Sequence, residues 1–380
     1  MSTSPPVRTS LYENHLKCGA KIVDFHGFEL PIWYSSIQEE HLATRSAAGI
    51  FDVSHMGFFR FTGSDLMTWL SSIATQEFMN FDNGRCGYTH FLDNNGHIID
   101  DMIFAVVSEH EVLGVPNASM VSVMHKWFSE NIPDNSDIRI DDISEKTSII
   151  ALQGPQSKNI LELVLGIENS VKRFKCQNIK VNDLGISGWI QGTGYTGESG
   201  YEIFIDNDDA PKLWEKLLES KQFGIVPVGL GARDTLRLEK GYLLSGQDFL
   251  WPGLDLNPDF DLPPNFLSRN TAETNVPFGL DINHDFIGKE FVQKSLLSGY
   301  KWQGLVCQER GPSPRPGHAV FSIDDPKIIG YVTSGGPSPS LNRKGIALAY
   351  LKDTRLGDEV LIQVSQRKKV KALISKTPFV

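Results

Sequence analysis

Cysteine is scarce in this chain. Cys18, Cys86, Cys176 and Cys307 lie far apart, with no C-x-x-C pair and no histidine spacing suited to zinc. The expectation is four reduced thiols and no metal site. Long apolar runs are missing too: none approaches the roughly 18 residues of a membrane span, and the start Met-Ser-Thr-Ser-Pro-Pro-Val-Arg has no signal-peptide core. No membrane partner is expected. Positive charge is the minority sign, 36 Lys and Arg against 46 Asp and Glu for a net charge of −10, which argues against a nucleic-acid partner. Lys172-Arg173-Phe174-Lys175 and Arg367-Lys368-Lys369 are the local basic clusters, read as solvated charge. These absences predict a soluble cytoplasmic protein, or one of the mitochondrial matrix if the source is eukaryotic.

What is present suffices for packed cores: 380 residues with 40% hydrophobic side chains suggest two or three domains. Ser36 with Glu39 forms a capping box, opening a helix expected to run to Gly49 as its C′ glycine, after a turn at His26–Pro31. Further helices are predicted near 64–73, 118–130, 156–165, 210–220, 232–240 and 289–297, interleaved with strands. Asp248–Pro277, rich in Pro, Asn and Asp, reads as a long irregular excursion, functional or mobile. Beyond Lys289–Leu297 the segments 302–308, 319–322, 328–333, 345–351, 359–364 and 370–374 are short strands between Gly/Pro turns, a small antiparallel barrel or sandwich. The class is α+β with an all-β domain at the C-terminus.

Two stretches carry the chemistry. Asp93-Asn94-Asn95-Gly96-His97 reads as a hairpin turn with φ > 0 tolerated at Asn95 and Gly96. In the strand that follows, alternation puts Ile99, Asp101 and Ile103 on one face and Ile98, Asp100 and Met102 on the other. A carboxylate between apolar neighbours must be hydrogen-bonded, paired or used. The second stretch, Gly192-Thr193-Gly194-Tyr195-Thr196-Gly197-Glu198-Ser199-Gly200, suits a backbone that closely approaches a ligand or another segment. It lacks the glycine spacing of a dinucleotide fingerprint.

Several motifs together resemble the aminomethyltransferase family, the T-protein of the glycine cleavage system. They are Asp52-Val53-Ser54-His55-Met56, Ile99-Asp100-Asp101, Ala151-Leu152-Gln153-Gly154-Pro155, Gly194 to Ile203, Gly229 to Glu239, Asp285-Phe286-Ile287-Gly288-Lys289 and Thr333 to Leu341. The resemblance spans about Ser10 to Val380. It implies a three-domain cloverleaf around a central folate channel: 1–50 with 138–208, 51–137 with 209–275, and a C-terminal β-barrel domain over 276–380. It implies transfer of a one-carbon unit from an aminomethyl group on the lipoyl arm of H-protein to tetrahydrofolate, with release of ammonia, by a monomer or weak dimer.

By the same resemblance Asp101 is the catalytic carboxylate and Asp100 its structural neighbour. Tyr88, Asn117, Tyr195, Glu202, Arg233 and Met56 are carried over as folate-binding residues. Read without the family, Tyr88 is ordinary core, Asn117 a helix N-cap and Arg233 a surface ion pair. Two segments depart from the pattern: Asn275 to Ile282 lacks the family's tryptophan, with Leu280 or Phe278 in its place, and the excursion from Asp248 to Thr274 is longer than the family's. A tetrahydrofolate-dependent demethylase of a small methylated substrate is therefore the alternative, and a non-catalytic folate-binding protein the third reading.

Overall fold

A computed structural model describes residues 5–167, 171–254, 256, 258, 260–297, 299–325 and 327–380. The chain divides into two compact units, one of residues 1–70, 78–88 and 102–234, the other of 71–77, 89–101 and 235–380.

The first unit is built on a six-stranded sheet in the order Cys176–Val181, Ile186–Gln191, Gly200–Asp206, Thr147–Gln153, Ala48–Asp52, Ile225–Pro227. All neighbours are antiparallel except the last pair. One face is a continuous apolar core: Ile50, Ile150, Leu152, Ile190, Ile203 and Ile205 pack against Ile160 and Leu161 of the Ser157–Leu163 helix and Leu213, Trp214 and Leu217 of the Ala210–Leu218 helix. A second, five-stranded sheet has the order Arg85–Leu92, Ile98–Ser108, Glu111–Val115, Phe59–Thr62, Arg139–Asp142. Phe59, Phe61, Trp69, Phe104 and Phe128 make a largely edge-to-face aromatic cluster beside it.

Ser36 caps the helix as expected, its side chain accepting from Glu39 N–H at 3.2 Å, which is the Ser36 half of the expected box; but the helix stops at Ser46 and Gly49 lies inside the buried strand Ala48–Asp52. Gly49 is there for space: a Cβ would sit 2.5 Å from Thr44 Oγ1 and 2.7 Å from Val228 Cγ2. The expected turn at His26–Pro31 is shorter too. His26 and Gly27, both at positive φ, form a two-residue turn between Lys21–Phe25 and Phe28–Trp33.

In the second unit, the connection at 93–97 is longer than the Asn-Gly pair implies. Only Gly96 of that pair takes positive φ, 78°, and the turn is closed by Asp93, whose Oδ1 accepts from Asn95 N–H and His97 N–H, both at 2.9 Å. The expected barrel is observed. Six strands, from Tyr300–Cys307 to Lys368–Ser375, close on themselves around Leu305, Val332, Ala347, Ala349, Ile362 and Ile374.

The 248–274 excursion, with positions 255, 257 and 259 outside the described residues, is pinned at both ends. Leu250 N–H bonds Leu267 C=O at 2.9 Å, Ile98 N–H bonds Arg269 C=O at 2.8 Å, and Phe249, Phe266 and Leu267 are buried. Its first residue, Asp248, is fully buried. It accepts from Arg237 Nη1 at 2.9 Å, Leu244 N–H at 2.9 Å, Thr333 Oγ1 at 2.5 Å and Ser334 Oγ at 2.7 Å. Two helix-borne charges are thereby tied to the barrel, since Glu239 likewise accepts from Ser338 and Ser340. Breaking such a pair leaves a buried charge uncompensated. Asp248→Ala is expected to lower unfolding stability by about 3–5 kcal/mol through the orphaned Arg237, measured by denaturant titration; a loss below about 1 kcal/mol would mean the network is dispensable.

Candidate functional site

The in-register partners Cys176, Gln191, Glu202, Ala151 and Phe51 form one row across five strands of the larger sheet. Directly paired residues share a face, so Glu202 stands on the face opposite the apolar core, with the small Ala151 on one side and buried Gln191 on the other. Thr193 Oγ1 donates to Glu202 Oε2 at 2.5 Å. Glu202 Oε1 accepts no hydrogen bond among the described residues. Burial pushes this carboxyl above its ordinary range, and the Thr193 hydrogen bond and the Arg233 charge work against that rise.

The glycine loop is shaped by one amide. Gln153 Nε2 donates to Thr193 C=O at 3.1 Å and Tyr201 C=O at 3.3 Å, and its Oε1 accepts from Thr196 Oγ1 at 2.8 Å. A Cβ on Gly194 would lie 2.1 Å from Gln153 Oε1, and one on Gly200 2.5 Å from its Nε2. The glycines permit this close approach, and the loop so held delivers Thr193 and Tyr195.

Arg233 comes from the Leu230–Lys240 helix, whose entry is fixed by buried Glu40. That carboxylate accepts from Tyr34, Ser35 and Gly229 N–H at 2.6–2.8 Å. The guanidinium lies 4.7 Å over the Tyr195 ring, makes no ion pair among the described residues, and has its pKa lowered by burial while Glu202 supports the charged form. It is not the surface ion pair that a lone Arg suggests.

His55 adds a neutral group. It is 5% exposed, its Nδ1 has no hydrogen-bond partner among the described residues, and Phe25 meets its ring edge-on at 5.5 Å. Burial first, then Arg233, lower its pKa to about 3 against the opposing pull of Asp52. Asp52 is itself engaged by His15 Nε2 at 2.9 Å, Thr9 Oγ1 at 2.7 Å and Ser54 N–H at 2.9 Å. Thr193, Gln191 and His55 were absent from the expected site residues. Thr193 sits between two glycines of a loop already singled out, and His55 belongs to a quoted motif; their placement beside Glu202 and Arg233 depends on register and burial.

Glu202, Arg233 and Tyr195 are thus brought together in the first unit, which also holds Tyr88, Asn117 and Met56, each partly accessible. Asn117 is the N-cap residue of the 118–120 turn, as its type suggests, but its side chain makes no capping hydrogen bond there. In the second unit Asp100 is fully buried and accepts from Ser245 Oγ at 3.3 Å, whereas Asp101 is partly accessible on the opposite face. Leu280 packs against the second unit's core beside Val276 and Ile282.

The GCVT N-terminal domain family matches residues 11–250, and the glycine cleavage T-protein C-terminal barrel domain family matches 301–380. The chain belongs to the glycine cleavage T-protein family. Proteins named aminomethyltransferase are similar over nearly the whole length. That of Halalkalibacterium halodurans is 36% identical over 98% of this chain and 97% of its own, and that of Bacillus mycoides 38% over the same shares. The crystal structure of glycine cleavage system aminomethyltransferase T from Bartonella henselae aligns with a TM-score of 0.84 at 29% identity, covering 98% of each chain. These T-protein relatives do not favour the demethylase reading. Among the described residues no helix is long and apolar enough to cross a membrane.

A histidine with folded pKa near 3 stays neutral throughout the physiological range. The nitrogen shifts of His55, followed by NMR, should therefore not titrate between pH 5 and 8. Arg233→Met, which removes a repulsive charge, should raise its pKa. A His55 midpoint near 6.5 in the unmodified chain would show that the imidazole is not held neutral. The sign for stability follows: below about pH 6.5 the unfolded histidine takes up a proton the folded one refuses, so His55 contributes a loss of stability as pH falls from 6.5 toward 3.

Proposed function

We propose that the chain transfers a one-carbon unit from an aminomethyl group on the lipoyl arm of an H-protein to tetrahydrofolate, releasing ammonia. The observation that carries this reading is a carboxylate with one committed and one open oxygen, Glu202, beside Arg233, a half-buried cation that makes no ion pair among the described residues. An open carboxylate oxygen suits the paired N–H donors of a pterin's guanidine-like edge, and a guanidinium suits acceptor atoms of the same ligand. Tyr195, held under Arg233, offers a ring face at this site. Tyr88 and Met56 supply apolar wall, and Asn117 an amide toward the ring.

The acceptor contributes a nucleophilic amine. The work left to the protein is to orient that amine, take its proton and stabilise positive charge at the carbon under attack. Asp101 is proposed for that work. It is the member of the pair left accessible, while Asp100 is sealed in and hydrogen-bonded by Ser245. A fixed carboxylate both accepts a proton and stabilises a developing cation.

Asp101→Asn keeps shape and removes charge, so folding and tetrahydrofolate binding should persist while turnover with aminomethylated H-protein falls roughly 10²–10⁴-fold. A larger loss in Asp100→Asn would reverse the roles. Glu202→Gln should weaken tetrahydrofolate binding, because hydrogen bonds to charged groups contribute about 1.5–3 kcal/mol, or roughly ten- to a hundredfold in Kd. An unchanged dissociation constant by calorimetry would make Glu202 a structural carboxylate.

A further inference from the structure

We propose that Thr193 is the positioning residue of the ligand-binding carboxylate: its hydroxyl takes one oxygen of Glu202 and so presents the other to the ligand. The inference rests on the reading of Glu202 given above and extends it to a residue that touches the acid rather than the ligand. A hydroxyl carries one proton. At 2.5 Å the Thr193 proton is committed to Glu202 Oε2, since the other acceptor nearby, Gln191 Oε1, stands at 3.4 Å. Thr193 is 7% exposed and is itself held, its carbonyl receiving Gln153 Nε2. The side chain thus has a fixed backbone beneath it and a single strong acceptor in front of it. Oε1 of Glu202 is left with its full accepting capacity.

This hydrogen bond also decides the protonation state in which the acid meets a ligand. Burial favours the neutral carboxyl, which has lost one acceptor oxygen to a proton and cannot take two N–H donors as a charged pair. Two groups oppose burial at Glu202, the Thr193 hydroxyl and the Arg233 guanidinium. The other titratable groups acting on this neighbourhood are the Cys86 thiol, which feels the Glu202 charge, and Tyr195 and His55, which act on or feel Arg233. None of these three supplies a hydrogen bond to the carboxylate among the described residues. Removing the Thr193 hydroxyl leaves Arg233 as the remaining opposition to burial, so the Glu202 pKa moves further up. Ligand binding that needs the anion then fails at a higher pH.

The test uses the full-length chain with Thr193→Val, Thr193→Ala and Thr193→Ser. Carbon NMR of the Glu202 carboxyl in the ligand-free protein should show a higher pKa in Val and Ala than in the unmodified chain, with Ser near the unmodified value. Calorimetry with tetrahydrofolate from pH 5 to 8 should show binding weakened about ten- to a hundredfold in Val. Its acid limb should shift toward neutral pH, and Ser should restore both strength and limb. A purely structural role for Thr193 would weaken binding equally at every pH, or leave Ser as impaired as Val, and either result overturns the proposal. So does an unmoved Glu202 pKa in whichever of Val and Ala folds. If the unmodified chain does not bind tetrahydrofolate, the functional reading falls, but the ligand-free titration still decides whether Thr193 governs the state of Glu202.

Discussion

A carboxylate placed on a buried sheet is the constraint around which the first unit is arranged. Uncompensated, such a charge would cost several kcal/mol, a large share of a domain's net stability. The row Cys176, Gln191, Glu202, Ala151, Phe51 keeps large side chains off its ladder neighbour at Ala151. The opposite face, with Ile150, Ile190 and Ile203, fixes register so firmly that a one-residue slip would drive Glu202 into hydrocarbon. Compensation arrives from two other directions, Thr193 from the loop and Arg233 from the helix. The apolar core and the polar site are therefore one device: the core specifies the register that the charge requires.

Positioning of those two partners rests on further buried polar groups, each bonded at both of its polar atoms. Glu40 gathers three backbone N–H groups and sets the helix entry from which Arg233 projects. Gln153 gathers two carbonyls and a hydroxyl and shapes the loop carrying Thr193 and Tyr195. A buried polar group missing a partner costs about 1–3 kcal/mol, so these networks are narrow wells rather than loose tethers. Against that background other groups stand out: among the described residues Gln191 Nε2 and His55 Nδ1 are buried without partners, and Arg233 makes no ion pair. Well-bonded scaffolding around these side chains is the arrangement on which the proposed ligand site draws.

Local signals in the sequence were read correctly where one interaction dominated. Ser36 caps its helix, and the six barrel strands follow their alternation and turns. Where the structure departs from local signals, contacts between separate elements mostly decide. Gly49 looked like a helix terminator and is instead a packing glycine wedged between Thr44 and Val228, residues distant in sequence or on another element. The Asn-Gly pair promised a two-residue turn, yet Asp93 closes a longer one through its carboxylate. The Pro- and Asn-rich 248–274 stretch, expected to be functional or mobile, is anchored by Asp248, Phe249 and Leu267 through contacts that no local pattern encodes. At the site, residue types were legible through family motifs, but Thr193 and Gln191 gain their meaning only from strand pairing and a hydroxyl's single proton.

The adjacent aspartates show how a strand assigns different duties to identical side chains. Because successive residues point to opposite faces, Asp100 and Asp101 cannot share an environment however similar their chemistry. Asp100 is enclosed and meets the Ser245 hydroxyl, while Asp101 stays partly accessible on the face it shares with Ile103. A carboxylate serving as a proton acceptor needs access to its donor and a fixed orientation at once. Orientation is supplied by the strand itself, which a buried Asp100 helps to hold. The pair thus divides between the two faces: Asp100 is enclosed beside Ser245, and Asp101 is the member left accessible for the proton-accepting work proposed for it.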